Sequence, residues 1–301
     1  MPDESHTQDP GGQPQCEPPA GHLDRVWPDA DPEGSLLVAA SGARHGSGGK
    51  NVAMSQRERL REFRAAVFTA DGEALVSLLR SGRWPGHALQ LIGDGLLGAL
   101  AQNISGAREL ADRCVTELRE RDWEGDADLA AALAEGLGAG PAPLLRSVPV
   151  DLDQLVDVLE GDAVAAGGRI DLHSGEVWPE AVFEYRTESD EDEDEDKDED
   201  FDDDERWLCV VSEGSRAGYR DMELFVAGVA EPDLAERLAR AVEGRGAFRR
   251  FRDELTRWPD LQDRWYVYSA ERRRGRARAW LSAEGFTPAA PTAHDSAQQT
   301  T

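Results

Sequence analysis

The sequence predicts an α+β protein, with an N-terminal antiparallel helical region followed by a small antiparallel sheet with C-terminal helices. Apolar residues recur at helical spacing through residues 55–138 and again through residues 219–281. Between these regions, short segments alternate apolar and polar residues, as half-buried strands do. The 301 residues are enough for one or two domains, and the absence of any stretch of ~18 apolar residues predicts no membrane span.

The N-terminal residues 1–53 are rich in glycine, proline and charged residues and have no apolar period. Such a segment cannot bury enough apolar surface to offset chain entropy, so it is predicted to be disordered. An alternative is that translation starts at Met54, where the first helical pattern opens, and that residues 1–53 are an untranslated extension. The polar tail 286–301 is also predicted to be disordered.

Residues 54–140 are predicted to form a helical domain. Leu60, Phe63 and Val67 share one helical face, while Asp71 and Asp126 are expected to cap later helices. Short loops between the predicted helices favour antiparallel pairs. The Gly- and Pro-rich segment 138–143 is predicted to be a linker.

Residues 148–285 are predicted to form a second, α+β domain. Asp151 precedes a short amphipathic helix, and the segment 169–172 alternates as a strand does. The turn 173–176 leads to a return strand at Val177, and segments 181–185 and 207–211 are expected to complete the sheet. The acidic run 188–205 would then lie in a loop between two strands.

Four helices are expected after the sheet. The apolar residues at helical spacing between Tyr219 and Val229 share one face of the first helix. Pro232 starts a second helix, and Pro259 starts the last one. The helical stripe between them consists of Phe248, Phe251, Leu255 and Trp258 and is predicted to face the core.

Charge is distributed very unevenly along the chain. The chain has 33 basic and 60 acidic residues, a net charge of −27. Residues 188–205 contain fifteen acids and one lysine, which favours a solvated, disordered loop. Weak cation binding and mimicry of nucleic-acid phosphates are alternatives, whereas an EF-hand is excluded because the run has no glycine. Residues 245–278 hold eleven arginines and five acids.

The segment 244–255 contains the predicted anion-binding residues. Two glycines precede a helix, and free N–H groups at a helix start attract anions. The residues assigned to this site are Arg245, Gly246, Arg249, Arg250 and Arg252. The alternative is an ordinary helix whose arginines pair locally, for example Arg250 with Glu254.

The last helix carries a second predicted basic face. It comprises Arg272, Arg273, Arg274, Arg276 and Arg278. Arginine-rich helices contact phosphates, so RNA or another polyanion is a candidate partner. Trp265 and Tyr268 would be stacking platforms, but their spacing with Leu261 favours the core.

No catalytic, metal-binding or cofactor-binding residue is assigned. The sequence lacks a P-loop, a nucleophile elbow, a dinucleotide fingerprint and paired metal-ligating histidines. Asp221 and Glu223 are two residues apart and should point to different helix faces. The cysteines Cys16, Cys114 and Cys209 are widely spaced, which suits a reducing cytoplasm.

Several motifs resemble the bacterial uncharacterised protein family 0158. They are the segments 148–156, 170–177, 218–222, 244–255, 264–266 and 279–281, of which GRGAFRRFRDEL at 244–255 is the most specific. The resemblance covers about residues 148–285 and implies a domain but no reaction. The helical region 54–140 and the acidic run are departures from the usual members of that family.

Three functions fit the sequence. The favoured one is a non-enzymatic cytoplasmic binding or regulatory module that contacts an anionic partner through its C-terminal Arg-rich helices, with the acidic run covering this surface. One alternative is a hydrolase or transferase acting on a phosphorylated substrate, with Asp221, Glu223 or Asp253 as base or metal ligand. The other is an adaptor whose helical domain 54–140 docks a protein.

Overall fold

The computed structural model of the protein describes residues 56–82, 84, 88–140, 144–161, 167–182 and 205–290. The predictions for residues 1–53, for Met54 as the start, for residues 188–204 of the acidic run and for the tail beyond residue 290 fall outside these ranges. Within them the α+β fold class is confirmed. None of the described helices is long and apolar enough to cross a membrane.

The N-terminal region is helical, as predicted. Its elements are α1 (Gln56–Phe68), α2 (Gly72–Arg80), α3 (Leu89–Ala101), α4 (Ala107–Arg121) and α5 (Asp126–Gly136). They enclose a core in which Phe63, Ile92 and Leu118 are fully buried. The Asp71 carboxylate accepts a hydrogen bond from the Ala74 N–H at 2.9 Å, which confirms this cap. Asp126 is not a cap, because Gly125 occupies that position.

A three-stranded antiparallel sheet lies in the second half of the chain. Its strands are β2 (Gly167–Asp171), β3 (Val177–Pro179) and β4 (Trp207–Val211), in the order β3-β2-β4. Helix α6 (Leu152–Leu159) packs on it, capped by Asp151 as predicted. The predicted strand 181–185 is wrong at its start, since residues 180–182 are helical. Pro179 accounts for this, because proline favours the first turn of a helix and cannot extend a strand ladder.

A second, parallel strand pair was not predicted. It consists of β1 (Arg146–Val148) and β5 (Phe286–Pro288), with Val148 opposite Pro288. The prediction that the tail is disordered from residue 286 is therefore wrong for residues 286–288. Phe286 packs against an apolar cluster that includes Trp280 and Leu281, so this segment does bury apolar surface.

Four helices complete the described chain. They are α7 (Arg216–Ala227), α8 (Pro232–Val242), α9 (Ala247–Leu255) and α10 (Pro259–Ala283). Helix α10 packs against three apolar clusters: Val267 reaches the N-terminal core, Tyr268 the α7–α9 core, and Leu281 the core beneath the sheet. The two predicted domains therefore share α10 as a common element.

The stripe predicted to be core on α9 is only half buried. Phe251 and Leu255 are buried, whereas Phe248 and Trp258 are each 40% exposed. Helix α9 ends at Leu255, so Trp258 leaves the helical periodicity on which the prediction depended. Trp258 instead lies at the start of α10.

Candidate functional site

The predicted basic face of α10 is not a free surface, and this prediction is wrong. Each of its five arginines forms an ion pair with a carboxylate from another element. Their partners are Asp94, Asp153, Asp157, Glu160 and Asp221. Five guanidinium groups therefore face five carboxylates, and the cluster is neutral.

Asp94 on α3 holds two of these arginines. Its carboxylate accepts from Arg274 Nε at 2.7 Å and pairs with Arg278, whose Nε also donates to Gln90 Oε1 at 2.9 Å. The Arg278 side chain is only 2% exposed. Burial alone would raise the pKa of Asp94, but the two guanidinium groups hold it below its usual value. These contacts join α10 to the N-terminal helices.

Glu271 on α10 caps a helix that is 180 residues away in sequence. Its carboxylate accepts from the N–H groups of Gln90 at 2.8 Å and Leu91 at 3.1 Å, in the first turn of α3. The local cap position, Ala88, has no side-chain acceptor. Arg121 donates to the same carboxylate, yet burial is dominant and raises the pKa of Glu271. A glutamate on one element thus satisfies helix-end donors of another.

Asp221 on α7, a candidate base in the hydrolase alternative, is also fully engaged. One oxygen accepts from Arg272 Nε at 3.0 Å and the other from Arg276 Nη1 at 2.8 Å. The residue is 1% exposed, whereas Glu223 faces solvent, so the two residues do lie on different faces as predicted. Both oxygens of this buried carboxylate are thus bound by guanidinium groups, an arrangement typical of a structural ion pair.

A small crevice lies between α6, α10 and the α4–α5 loop, where Glu124, Glu160 and Glu213 meet Arg273 and Arg276. Its free volume is about 10 Å³, which is room for one water molecule. Burial raises the pKa of Glu124, and Arg276 and Arg272 offset only part of this effect. The crevice is too small for a phosphorylated substrate.

The lowered pKa of Asp94 predicts a specific loss of stability in acid. A group whose pKa is depressed in the folded state stabilises the fold above its unfolded pKa, here 3.8, and loses that contribution as pH falls through the folded pKa. We expect Asp94→Asn to be less stable than the parent protein at neutral pH, but to lose less stability between about pH 5 and about pH 3. Thermal unfolding followed by circular dichroism tests this expectation, and equal losses in the two proteins would contradict it.

A dense group of exposed arginines lies instead on α8, on α9 and beside them, and further exposed arginines are Arg216 and Arg220 on α7 and Arg264 on α10. We call the dense group the α8–α9 surface: Arg237, Arg240, Arg245, Arg249, Arg250, Arg252 and Arg257. Residues 236–257 contain these seven arginines and four acids, so the segment is positive within a chain of net charge −27. All seven are exposed, whereas the five ion-paired arginines of α10 are buried or partly buried.

The five residues predicted to bind an anion all belong to the turn before α9 and to its exposed faces. Gly246 has a φ of +81°, a conformation that favours glycine, and it stands at the cap position of α9. Arg250 closes the turn by donating to the carbonyl oxygens of Arg245 at 2.5 Å and of Glu243. It does not pair with Glu254 as the alternative had it.

The other arginines predicted to bind an anion make fewer contacts within the protein. Arg249 is 90% exposed and reaches Asp253 only at 3.8 Å. Within the part of the chain that the structure covers, Arg245 and Arg252 have no carboxylate at ion-pair distance. Their guanidinium groups are therefore available for a ligand, although anion binding by these residues stays a prediction.

An open groove separates α8 from α9, and sequence reasoning missed most of it. Its volume is about 580 Å³. It is lined by Arg237, Arg240, Ala241, Arg250, Asp253, Glu254 and Arg257. Glu254 is neutralised by Arg237 at 2.6 Å and by Arg257. The i,i+3 spacing of Arg237 and Arg240 predicts that both side chains lie on one face of a helix. The spacing does not predict which helix this face opposes, because that depends on the turn between α8 and α9.

The described ranges contain no group of three or more metal-ligating side chains. The geometry therefore offers one extended feature for contact with another molecule, the α8–α9 surface and its groove.

Comparisons with known proteins agree with the resemblance in the sequence. The profile of the uncharacterised protein family UPF0158 matches residues 166–301, from the sheet through the C-terminal helices. A UPF0158 protein of Pseudomonas aeruginosa is 30% identical over 146 residues, which are 48% of this chain and 90% of that protein. No solved structure gives a significant match. Because that relative is 30% identical and is matched along almost its whole length, and because the family profile covers the sheet, α8, α9 and α10, this chain belongs to the uncharacterised protein family UPF0158.

Proposed function

We propose that the protein is a non-enzymatic cytoplasmic binding module that contacts an anionic partner through its α8–α9 surface. The observation that carries the proposal is the contrast between two sets of arginines. The five ion-paired arginines of α10 are buried or partly buried between elements, whereas those of the α8–α9 surface are exposed on and around an open groove. An excess of exposed positive charge, here seven arginines against four acids in residues 236–257, creates a field that steers and binds polyanions.

This proposal narrows the function predicted from the sequence. The C-terminal arginine-rich helices remain the contact region, but α10 is assigned a structural role. The hydrolase alternative has less support, because Asp221 is occupied by two arginines and the carboxylate-lined crevice holds about one water. The adaptor alternative also has less support, because α10 already packs against α3 and α5 of the helical region.

Charge reversal on the α8–α9 surface tests the proposal. We expect the triple variant Arg245→Glu, Arg249→Glu and Arg252→Glu to bind labelled RNA at least about tenfold more weakly at about 50 mM salt. The slope of log affinity against log salt should also fall in magnitude by about 2, since each lost phosphate contact removes about 0.7 for a single strand. Fluorescence anisotropy across a salt series measures both quantities.

A matched control separates a local contact from total charge. The triple variant Arg61→Glu, Arg64→Glu and Arg119→Glu makes the same change in net charge at exposed positions on α1 and α4. It should keep most of the affinity of the parent protein. Equal losses in both triple variants, or no salt-sensitive binding by the parent protein to RNA or DNA, would count against the α8–α9 surface as a nucleic-acid contact.

A further inference from the structure

The α8–α9 groove has a second feature besides its positive charge, because the partly exposed Trp258 lies beside Arg237, one of its lining residues. Arg250, Glu254 and Trp258 follow one another at intervals of four residues. Arg250 and Glu254 line the groove, and Arg257 beside Trp258 lines it too. Because α9 ends at Leu255, this spacing alone does not place the indole, and its position relative to the groove follows from its contact with Arg237.

Arg237 connects the tryptophan to the wall of the groove. Its guanidinium carbon lies 6.0 Å from the centre of the Trp258 ring, and its Nη2 lies 2.6 Å from Glu254 Oε1. The backbone N–H of Trp258 donates to the Leu255 carbonyl oxygen at 2.9 Å, so the end of α9 fixes the backbone that carries the indole. The Arg237 guanidinium group and the Trp258 ring thus lie side by side on ordered parts of the backbone.

Trp258 lies outside the packed aromatic cluster of the C-terminal helices. The neighbouring aromatic residues Phe225, Phe251 and Tyr268 pack edge-to-face or tilted against one another, and each is at most 7% exposed. Trp258 remains 40% exposed outside this cluster. A large aromatic face left in water beside arginines is the arrangement that stacks on nucleobases.

Stacking distinguishes single strands from duplexes. Arginines alone attract the phosphates of either form, so charge by itself does not favour a single strand over a duplex. In a duplex the base faces are covered by neighbouring bases, whereas in a single strand they are free to stack on an aromatic side chain. An indole beside an arginine-lined groove therefore fits a strand whose phosphates contact the arginines and whose base is free to stack.

We infer that the α8–α9 groove binds single-stranded nucleic acid, with a base stacked on Trp258 and backbone phosphates held by Arg237, Arg240 and Arg257. This inference depends on the proposed function and specifies the class of its partner. Stacking is sequence-tolerant, so the expected selectivity is for strandedness and not for a base sequence.

The test compares strands and a tryptophan variant in the full chain. The probes are a labelled oligo-uridine RNA, an oligo-thymidine DNA and a labelled duplex of equal length, each at about 50 mM salt. We expect at least one single strand to bind more tightly than the duplex. Trp258→Ala should weaken single-strand binding about tenfold and leave duplex binding unchanged, because stacking contributes about 1–3 kcal/mol per base. Trp258→Phe should recover part of the loss.

Phe248 provides the matched control. It is an aromatic residue of α9 with the same 40% exposure, but it packs near Gly218 of α7, whereas Trp258 lies beside the groove residue Arg237. Phe248→Ala should change single-strand affinity less than twofold, and thermal unfolding should show that both alanine variants are folded. Equal affinity for single strand and duplex, or no effect of Trp258→Ala, would overturn the inference while leaving a charge-driven contact intact. Absence of binding to every probe would overturn the proposed function as well.

Discussion

Arg278→Ala is expected to lower the free energy of unfolding by about 3–5 kcal/mol, the cost of removing one partner from a buried ion pair. Arg278 is 2% exposed and donates to Asp94 and to Gln90 Oε1. Its removal leaves the buried carboxylate of Asp94 with a single remaining arginine, Arg274. It also leaves the Gln90 oxygen without this donor. Urea denaturation is the suitable measurement, since guanidinium chloride would screen the ion pairs under test.

Arg273→Ala is the matched control on the same helix. Arg273 also forms two ion pairs, with Asp157 at 3.1 Å and Glu160 at 3.0 Å, but its side chain is 36% exposed and that of Asp157 is 78% exposed. Exposed pairs contribute about 0–1 kcal/mol, so the control should lose no more than about 1 kcal/mol. Equal losses in the two variants would show that burial of the Asp94 pair does not determine the stability of this helix. They would also remove the reason for treating α10 as a structural element.

Local signals in the sequence were sufficient for the fold class and for most helix boundaries. Pro232 and Pro259 begin α8 and α10, and Asp71 and Asp151 cap α2 and α6, as predicted. Each of these features depends on residues within one turn of one another, so a single sequence contains them. The β1–β5 pair does not, because Val148 and Pro288 lie opposite each other in the sheet but are far apart in the sequence.

The arginines of α10 show why the candidate site was only partly predictable. Their composition suggested a solvated basic face, but their partners lie on α3, α6 and α7, far away in sequence. One signal was available: Gln90 and Asp94 lie four residues apart on α3, a helix of otherwise apolar and small residues. An aspartate in that setting requires a buried partner, and the arginine-rich segment was the obvious source of one.

The α8–α9 surface was predicted from its α9 half alone. The glycines and arginines of 244–252 were recognisable as a local pattern, whereas Arg237, Arg240 and Trp258 join them only through the fold. Trp258 was misassigned because three- and four-residue spacing was extended past Leu255, where α9 ends. Periodicity predicts which residues share a face only as far as the helix continues.

Gly275→Ala is expected to lower the free energy of unfolding by about 3 kcal/mol or more, because α10 would be forced away from the helices it joins. A Cβ at Gly275 would overlap the carbonyl oxygen of Glu124 and lie 3.3 Å from its carbonyl carbon. The obstacle is backbone, which cannot rotate aside as a flexible side chain can. On the other side of the same contact, a Cβ at Gly125 would lie 2.7 Å from the Gly275 carbonyl carbon.

The expected loss of stability in Gly275→Ala does not come from the steric clash alone. The Glu271 bonds to the start of α3 and the Arg278–Asp94 pair both bridge α10 and the N-terminal helices, on either side of Gly275. A displacement of α10 by even 1 Å would lengthen these bonds and leave charges poorly paired in a buried setting. We therefore expect urea unfolding of Gly275→Ala to begin earlier, with the N-terminal helices losing protection in hydrogen exchange before the sheet does.

Two glycine variants separate this close approach from the general effects of adding a methyl group. Gly218→Ala in α7 places its Cβ 3.4 Å from Phe248, an ordinary contact, so it should gain up to about 1 kcal/mol from helix propensity. Gly244→Ala has a φ of +71° with nothing within 4 Å, so it should show only the cost of a positive φ, about 1 kcal/mol. Gly125→Ala, at φ +79°, combines that cost with the clash and should exceed Gly244→Ala by about 2 kcal/mol. If Gly275→Ala behaved like Gly218→Ala, the contact between α10 and the α4–α5 loop would have to be loose, and the buried ion pairs beside it would lose their rigid frame.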